Sequence, residues 1–247
     1  MISAQCITYN RPELLEEAIE SFLRQDYDGE MEMVILNDSV HQLEFNHPEV
    51  HIWNVPKRFR TIGEKRNACV SLCAGEVIFP WDDDDISLPW RISLSLKYKG
   101  RKRYFKNKRA WLWQNGSIKP EPVANTYPSM GCWDRSLFEQ VNGYPMIQSG
   151  QDIGIDKKFM QLKERQVTPL KDEEVYYIYK FGGTHHPHLS SFGYDKGWHE
   201  IGKREIIKEG KIQLVPQWRQ DYVKMVREAK HGDIRVSEIR VANDGRQ

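Results

Sequence analysis

Glu76-Val77-Ile78-Phe79-Pro80-Trp81-Asp82-Asp83-Asp84-Asp85 runs from an apolar, strand-like segment straight into four consecutive carboxylates. A segment such as Val77-Ile78-Phe79 should be a buried strand, so the acids that end it are held in one place rather than spread along a floppy loop. Upstream, Ile2 to Thr8 reads as a short buried strand. Asn10-Arg11-Pro12-Glu13 then starts a helix with Asn10 as its cap and Pro12 in its first turn, and Leu14, Leu15, Ala18, Ile19, Phe22 and Leu23 form its apolar face. Met31 to Leu36 and Val50 to Val55 are two further strands, and Gly63 to Cys73 is a second helix. Strands alternating with helices specify an α/β fold with a mostly parallel central sheet flanked by helices.

Downstream of the acids, Ser87-Leu88-Pro89-Trp90 opens a helix that enters a basic stretch, and irregular strands and loops follow to about Pro128. Met130 to Trp133 is strand-like, Arg135 to Val141 helical, Asn142-Gly143-Tyr144-Pro145 a turn, Asp152 to Arg165 helical and Val175 to Lys180 strand-like. Gly182 to Gly193 is a loop with three histidines, and helices over His199 to Glu209 and Gln217 to Lys230 close the pattern.

The 247 residues carry 36 Lys+Arg against 35 Asp+Glu, a net charge of +1. That figure hides an uneven distribution. No acid lies between Asp85 and Glu121, while Arg91, Lys97, Lys99, Arg101, Lys102, Arg103, Lys106, Lys108, Arg109 and Lys119 supply 10 positive charges; the remaining 26 basic and 35 acidic residues give −9. Such a block suggests an anionic partner, with a solvated loop as the alternative. No run of about 18 apolar residues or signal-like start is present, so a cytoplasmic protein without a transmembrane segment is expected. Cys6, Cys69, Cys73 and Cys132 lie in apolar surroundings and read as buried free thiols.

In open α/β sheets, ligands bind beyond the carboxyl ends of the strands. Thr8-Tyr9-Asn10, Asn37-Asp38-Ser39 and Asp82 to Asp85 all fall at such ends. Adjacent carboxylates repel one another and are tolerated where a hard cation such as Mg²⁺ or Mn²⁺ neutralises them and draws in substrate phosphates. Acids that merely complement the dipole of a following helix are the alternative.

These motifs, in this order, resemble glycosyltransferase family 2, the inverting enzymes of GT-A fold that use nucleotide-sugar donors. The resemblance covers roughly Ile2 to Gly193. It rests on Cys-Ile-Thr-Tyr-Asn-Arg-Pro-Glu-Leu-Leu from Cys6, Val-Ile-Leu-Asn-Asp-Ser from Val34, Gly63-Glu64-Lys65-Arg66-Asn67, Ala74-Gly75-Glu76 and the acidic run as a D-x-D motif. It implies a GT-A domain over 1–195, with a nucleotide-sugar half over 1–90 and an acceptor half over 91–195, followed by a C-terminal helical extension over 196–247.

The resemblance also implies roles. Thr8, Tyr9, Asn10 and Arg11 would line the nucleotide slot, and Asp38 would accept from base or ribose unless it only caps a turn. Lys65 and Arg66 would lie against the nucleotide, Asp82 would contact the ribose with Asp83 nearby, and Asp84 would bind Mn²⁺ or Mg²⁺ bridging the diphosphate. Ser149-Gly150-Gln151-Asp152 resembles the family's Gly-Glu-Asp motif, with Gln151 in place of Glu, and makes Asp152 the base; a helix cap is the alternative. Gly131 and Trp133 fall where a wall between donor sugar and acceptor would stand, Trp133 stacking on a sugar or being simply core. His188, in Thr184-His185-His186-Pro187-His188, would reach the metal or diphosphate, and a three-histidine zinc site is a further possibility.

Between Lys97 and Trp113, cations alternate with aromatic rings, around Arg101, Lys102 and Arg103. Such interleaving suits a phosphate backbone and unstacked bases. A nucleic acid with a hydroxymethylated base, or an anionic glycan or lipid, is therefore an expected acceptor, with alternating core residues of a strand pair as the other reading. Two functional classes result: a metal-dependent glycosyltransferase probed first with UDP-sugars, and a non-catalytic nucleic-acid or glycan-binding module that retains the fold.

Overall fold

Ile2–Thr8 forms β1, and all but one of its residues are fully buried. A strand with no polar face must be covered on both sides, which places it inside a parallel sheet. The chain turns at Asn10, whose φ of 52° is left-handed, and α1 spans Pro12–Leu23. The cap position belongs to Arg11, not Asn10, and no side chain caps the helix. Asn tolerates the left-handed turn, so its role is to reverse the chain before Pro12 sets the first helical φ.

The computed structural model describes residues 1–114, 116–119, 122–124, 128–168, 170–180 and 210–229. After α1 come β2 (Met31–Asn37), β3 (His41–Glu44), β4 (Val50–Asn54), α2 (Ile62–Leu72), β5 (Val77–Asp82), β6 (Ile86–Ser87) and α3 (Arg91–Lys99). The basic stretch then folds as β7 (Tyr104–Asn107), β8 (Arg109–Gln114) and β9 (Ser117–Ile118), followed by β10 (Val123–Ala124), β11 (Gly131–Asp134) and α4 (Arg135–Gln140). The remaining elements are α5 (Gln151–Gln161), β12 (Arg165–Thr168), β13 (Tyr177–Lys180), β14 (Gly210–Gln213) and α6 (Tyr222–Ala229).

The larger sheet has the order β12-β7-β11-β5-β1-β2-β4. β5, β1, β2 and β4 run parallel, whereas β11 is antiparallel to both β5 and β7. This is the mostly parallel α/β sheet that the alternation specifies. A second sheet, β10-β8-β13-β6, flanks it. All four cysteines are buried free thiols.

Two aspects differ from the sequence reading. The helix expected to reach Arg165 ends at Gln161, because Lys163 adopts a left-handed φ of 57° and Arg165 enters β12 beside β7. The described part of the C-terminal extension is a strand and a helix rather than helices alone. β14 pairs in parallel with β3, and Leu214, Tyr222 and Val226 join the core around α1. Within that core, Glu17 of α1 is buried and accepts from Lys180 and Tyr222 at 2.6 Å each. The helix proposed for His199 to Glu209 lies outside the described residues.

Trp133, proposed as a sugar-stacking wall, is a core residue only 1% exposed. Its ring packs against Phe159, Tyr144 and Tyr104 at centroid separations of 5.4, 6.0 and 6.3 Å. β alternation turns this side chain inward, so neither face is open to a sugar. Trp133→Ala should therefore cost about 3–5 kcal/mol of stability, measured by urea unfolding, with donor affinity retained in the folded fraction. Gly131 is likewise structural: a Cβ there would lie 2.6 Å from the Phe105 carbonyl oxygen, so glycine permits the β11–β7 approach.

Candidate functional site: the carboxyl edge of the parallel sheet

The register brings three chain segments together. Thr8 is paired with Asn37 and Ile7 with Asp82, so the carboxyl ends of β1, β2 and β5 stand at one level. Each of the four acids following β5 has different partners there.

Asp82 accepts from the Arg66 guanidinium at 2.8 Å and from the Tyr177 hydroxyl at 3.3 Å. Burial opposes its charge, but Arg66, with support from Ser129, holds its carboxyl below the usual carboxylate range. Asp83 is buried and pairs with Arg11 at 2.6 Å. Desolvation dominates there, pushing its pKa up to about 6 despite Arg11. Asp84 accepts from the other nitrogen of the same guanidinium at 2.8 Å. Asp85 turns inward and accepts from Tyr177 at 2.7 Å and from the Lys180 amide at 2.8 Å, tying the acidic turn to β13.

At the base of the slot, Asp38 is fully buried and carries two cations. Arg58 approaches at 3.0 Å and Lys65 at 2.5 Å, and the Phe59 amide donates at 3.2 Å. Lys65 also donates to the Thr8 carbonyl at 2.5 Å, stapling the ends of β1 and β2; burial lowers its pKa in spite of Asp38. Asn37, not Asp38, holds the turn, its side-chain oxygen accepting from the Ser39 amide at 3.0 Å. Arg58 lies across the Tyr9 ring, its Cζ 3.1 Å from the centroid, and so spans from Tyr9 to Asp38. Sequence reading missed Arg58. Its signal was the basic run Lys57-Arg58-Phe59-Arg60 between a strand and the Thr61-capped helix.

Asp152 reaches this edge from α5. It lies in the first turn, half-buried, and accepts from the Ile153 amide at 2.8 Å, whereas the cap position is Gly150 with φ of 77°. Asp152 is thus not the cap residue, although its carboxylate takes one of the free first-turn amides of the helix. Its charge acts on both Arg66 and Tyr144, so it lies near the guanidinium that also pairs with Asp82. Asn67 fixes the preceding loop, donating to the Tyr144 carbonyl at 2.9 Å and accepting from the Tyr144 amide at 2.8 Å. The helix that places Arg66 thus also positions the segment leading to Asp152.

The carboxylate oxygens of Asp82 and Asp84 are chemically suited to a hard divalent cation, which takes one or two carboxylates and fills its remaining shell with phosphate and water. Among the described residues, no group of three His, Cys, Asp or Glu that could hold a metal ion is found. The histidine loop containing His188 lies outside the described residues.

Arg101, Lys102 and Arg103 are not at this edge. Trp133 pairs with both Tyr104 and Ile78, so Arg103 begins its strand level with Val77, five residues before Asp82 and about 17 Å away along the sheet. Arg101, Lys102 and Arg103 thus occupy the opposite end, correcting their placement as an acceptor entrance. Several charges of the stretch are paired: Lys99 with Asp134, Arg103 with Glu164, Lys106 with Asp156 and Arg109 with Asp172. Tyr104, Phe105 and Trp111 are core rings, not stacking platforms. Replacing Arg101 and Lys102 together by Gln should leave donor binding and transfer within about twofold of wild type. A large, salt-dependent loss in an acceptor-binding assay would contradict this placement.

A GT-A nucleotide-sugar-binding fold is defined by this parallel sheet and its polar carboxyl edge. Residues 3–104 match the family model of Glycosyl transferase family 2. Over 154 residues, 58% of this chain and 53% of the relative, it is 35% identical to WcaA of Escherichia coli (strain K12), named as a colanic acid biosynthesis glycosyl transferase. S. aureus TarS 1–349 in complex with UDP-GlcNAc shares the fold with a TM-score of 0.61 and 15% identity, over 77% of this chain and 60% of that chain. The mannosyltransferase PcManGT from Pyrobaculum calidifontis, in complex with GDP-Man and Mn²⁺, gives a TM-score of 0.56 and 16% identity, over 74% and 58%. The chain thus spans between 53% and 60% of the lengths of these relatives. No described helix is long and apolar enough to cross a membrane.

Proposed function

We propose that the protein is a metal-dependent inverting glycosyltransferase that moves a sugar from a nucleoside diphosphate-sugar, a UDP-sugar first, to an acceptor hydroxyl. The observation carrying this reading is the convergence of Thr8, Asp38, Asp82 and Asp84 at one sheet edge, beside the Arg66 guanidinium on which the charge of Asp152 also acts. Tyr9 supplies an aromatic face for the base, with buried Asp38 holding Arg58 against that ring, Asp82 takes the ribose, and Asp84 would hold Mn²⁺ or Mg²⁺. The cation, when bound, supplies positive charge for the departing diphosphate. Asp152 orients the acceptor hydroxyl and takes its proton as the oxygen attacks the anomeric carbon from the opposite face. Arg66 neutralises Asp82 and holds its carboxyl below the usual carboxylate range, within the field of Asp152.

The relatives' ligands narrow the first donors to try. In thermal-shift titrations, UDP-GlcNAc or GDP-Man with Mn²⁺ should raise the melting temperature, since a ligand at about 100 times its Kd adds about 2.7 kcal/mol. If neither these nor a wider nucleotide-sugar panel shifts it with Mn²⁺ present, the donor reading fails and a non-catalytic module is favoured. The position of Arg101 to Arg103 removes the charge argument for a nucleic-acid acceptor, so the acceptor is assigned only as a hydroxyl compound reaching Asp152.

A further inference from the structure

Arg11 is the least expected member of the acidic site. It is at the cap position of α1, 72 residues before Asp83, and its two terminal nitrogens reach different carboxylates: Asp83 at 2.6 Å and Asp84 at 2.8 Å. A guanidinium that forks between two side chains is held by both charge and geometry. Asp82 has its own guanidinium in Arg66, and Asp85 is satisfied by Tyr177 and Lys180. Arg11 is therefore the counter-charge of the middle pair. Its side chain is 21% exposed, against 3% for Asp83, so its outer part can move without opening the core.

We propose that Arg11 is a resident counter-ion of the acidic turn that competes with a divalent cation for Asp84, so that metal loading and the release of Arg11 from Asp84 are a single exchange. The physical reason is that one carboxylate cannot give full electrostatic and hydrogen-bonding contact to two cations without bringing them into repulsion. Asp83, buried deeper, keeps its hold on the other nitrogen and limits how far the arginine travels. Divalent affinity is thereby set below what the carboxylates alone would confer, and part of the binding energy is used to displace Arg11. The inference rests on the metal-dependent reading above and concerns a residue outside the D-x-D motif.

The test is Mn²⁺ binding to the full chain without nucleotide, read from the electron paramagnetic resonance signal of free Mn²⁺. Arg11→Met should tighten Mn²⁺ by roughly ten- to a hundredfold, and Arg11→Lys, which keeps the charge without the fork, by less. Arg11→Met should also melt at lower temperature in EDTA and gain more than wild type when Mn²⁺ is added. Arg11→Gln repeats the measurement should the Met variant not fold. Unchanged or weaker Mn²⁺ binding in the charge-free variants, with binding still lost in Asp84→Asn, overturns this inference alone. Absence of any Asp84-dependent Mn²⁺ binding in wild type and in the Arg11 variants alike overturns the metal-dependent reading beneath it.

Discussion

Asp152→Asn should reduce sugar transfer by on the order of 10²–10⁴-fold while donor and Mn²⁺ affinity stay within about twofold of wild type. The substitution keeps the shape of the side chain and an oxygen able to accept from the Ile153 amide, so α5 retains its first turn. What it loses is the capacity to take a proton. Asp152 also belongs to a helix positioned through the Asn67–Tyr144 loop and not to the strands of the edge proposed to hold the donor, so its substitution should leave the nucleotide contacts intact. Single-turnover transfer alongside isothermal titration of the donor separates the two effects. Parallel loss of donor binding would assign Asp152 a structural role through Arg66, and undiminished transfer would place the base elsewhere.

Asp84→Ala should abolish Mn²⁺-stimulated hydrolysis of the donor and lower transfer by about a thousandfold, the effect of losing several kcal/mol of charge stabilisation on the leaving diphosphate. Fold stability should change little by comparison. Asp84 is at the outer side of the acidic turn, with 12% of its side chain exposed and Arg11 as its ion-pair partner, and Arg11 keeps Asp83 when Asp84 is removed. Asp85→Ala is the contrasting variant: it would strip the Tyr177 hydroxyl and the Lys180 amide of their acceptor and act mainly on stability. Four identical residues in a row thus carry different consequences. Retention of metal-stimulated hydrolysis in Asp84→Ala would move the metal to another carboxylate.

The parallel core and its edge were legible in the chain because the signals are local. An apolar strand followed by polar residues has to end at a sheet edge, and three of them in α/β alternation must share that edge, as Thr8, Asn37 and Asp82 do. The periodicity of α1 was equally plain, its apolar positions being those that pack against Trp81 and its neighbours. Asp152 could be named from a motif because a helix start with an acid in its first turn is written in consecutive residues.

Other features depend on strand direction and pairing between distant residues. Arg101, Lys102 and Arg103 precede β7, which the two antiparallel pairings of β11 leave parallel to β5, so they lie at the amino end of the sheet, opposite the carboxylates. No composition window records direction. Trp133 faces inward because of the register of β11 with β5 and β7. Arg58 and Arg11 find Asp38, Asp83 and Asp84 across 20 to 73 residues of sequence.

By itself, the sequence determined the class of fold, the edge where chemistry gathers and the acids that gather there, since hydrophobic periodicity and strand ends are properties of short segments. Only the tertiary structure decided which partner holds each acid, which aromatic rings are core, and that Arg101, Lys102 and Arg103 lie away from the acidic edge. Those outcomes follow from burial and strand pairing, which set distances between residues far apart in the chain.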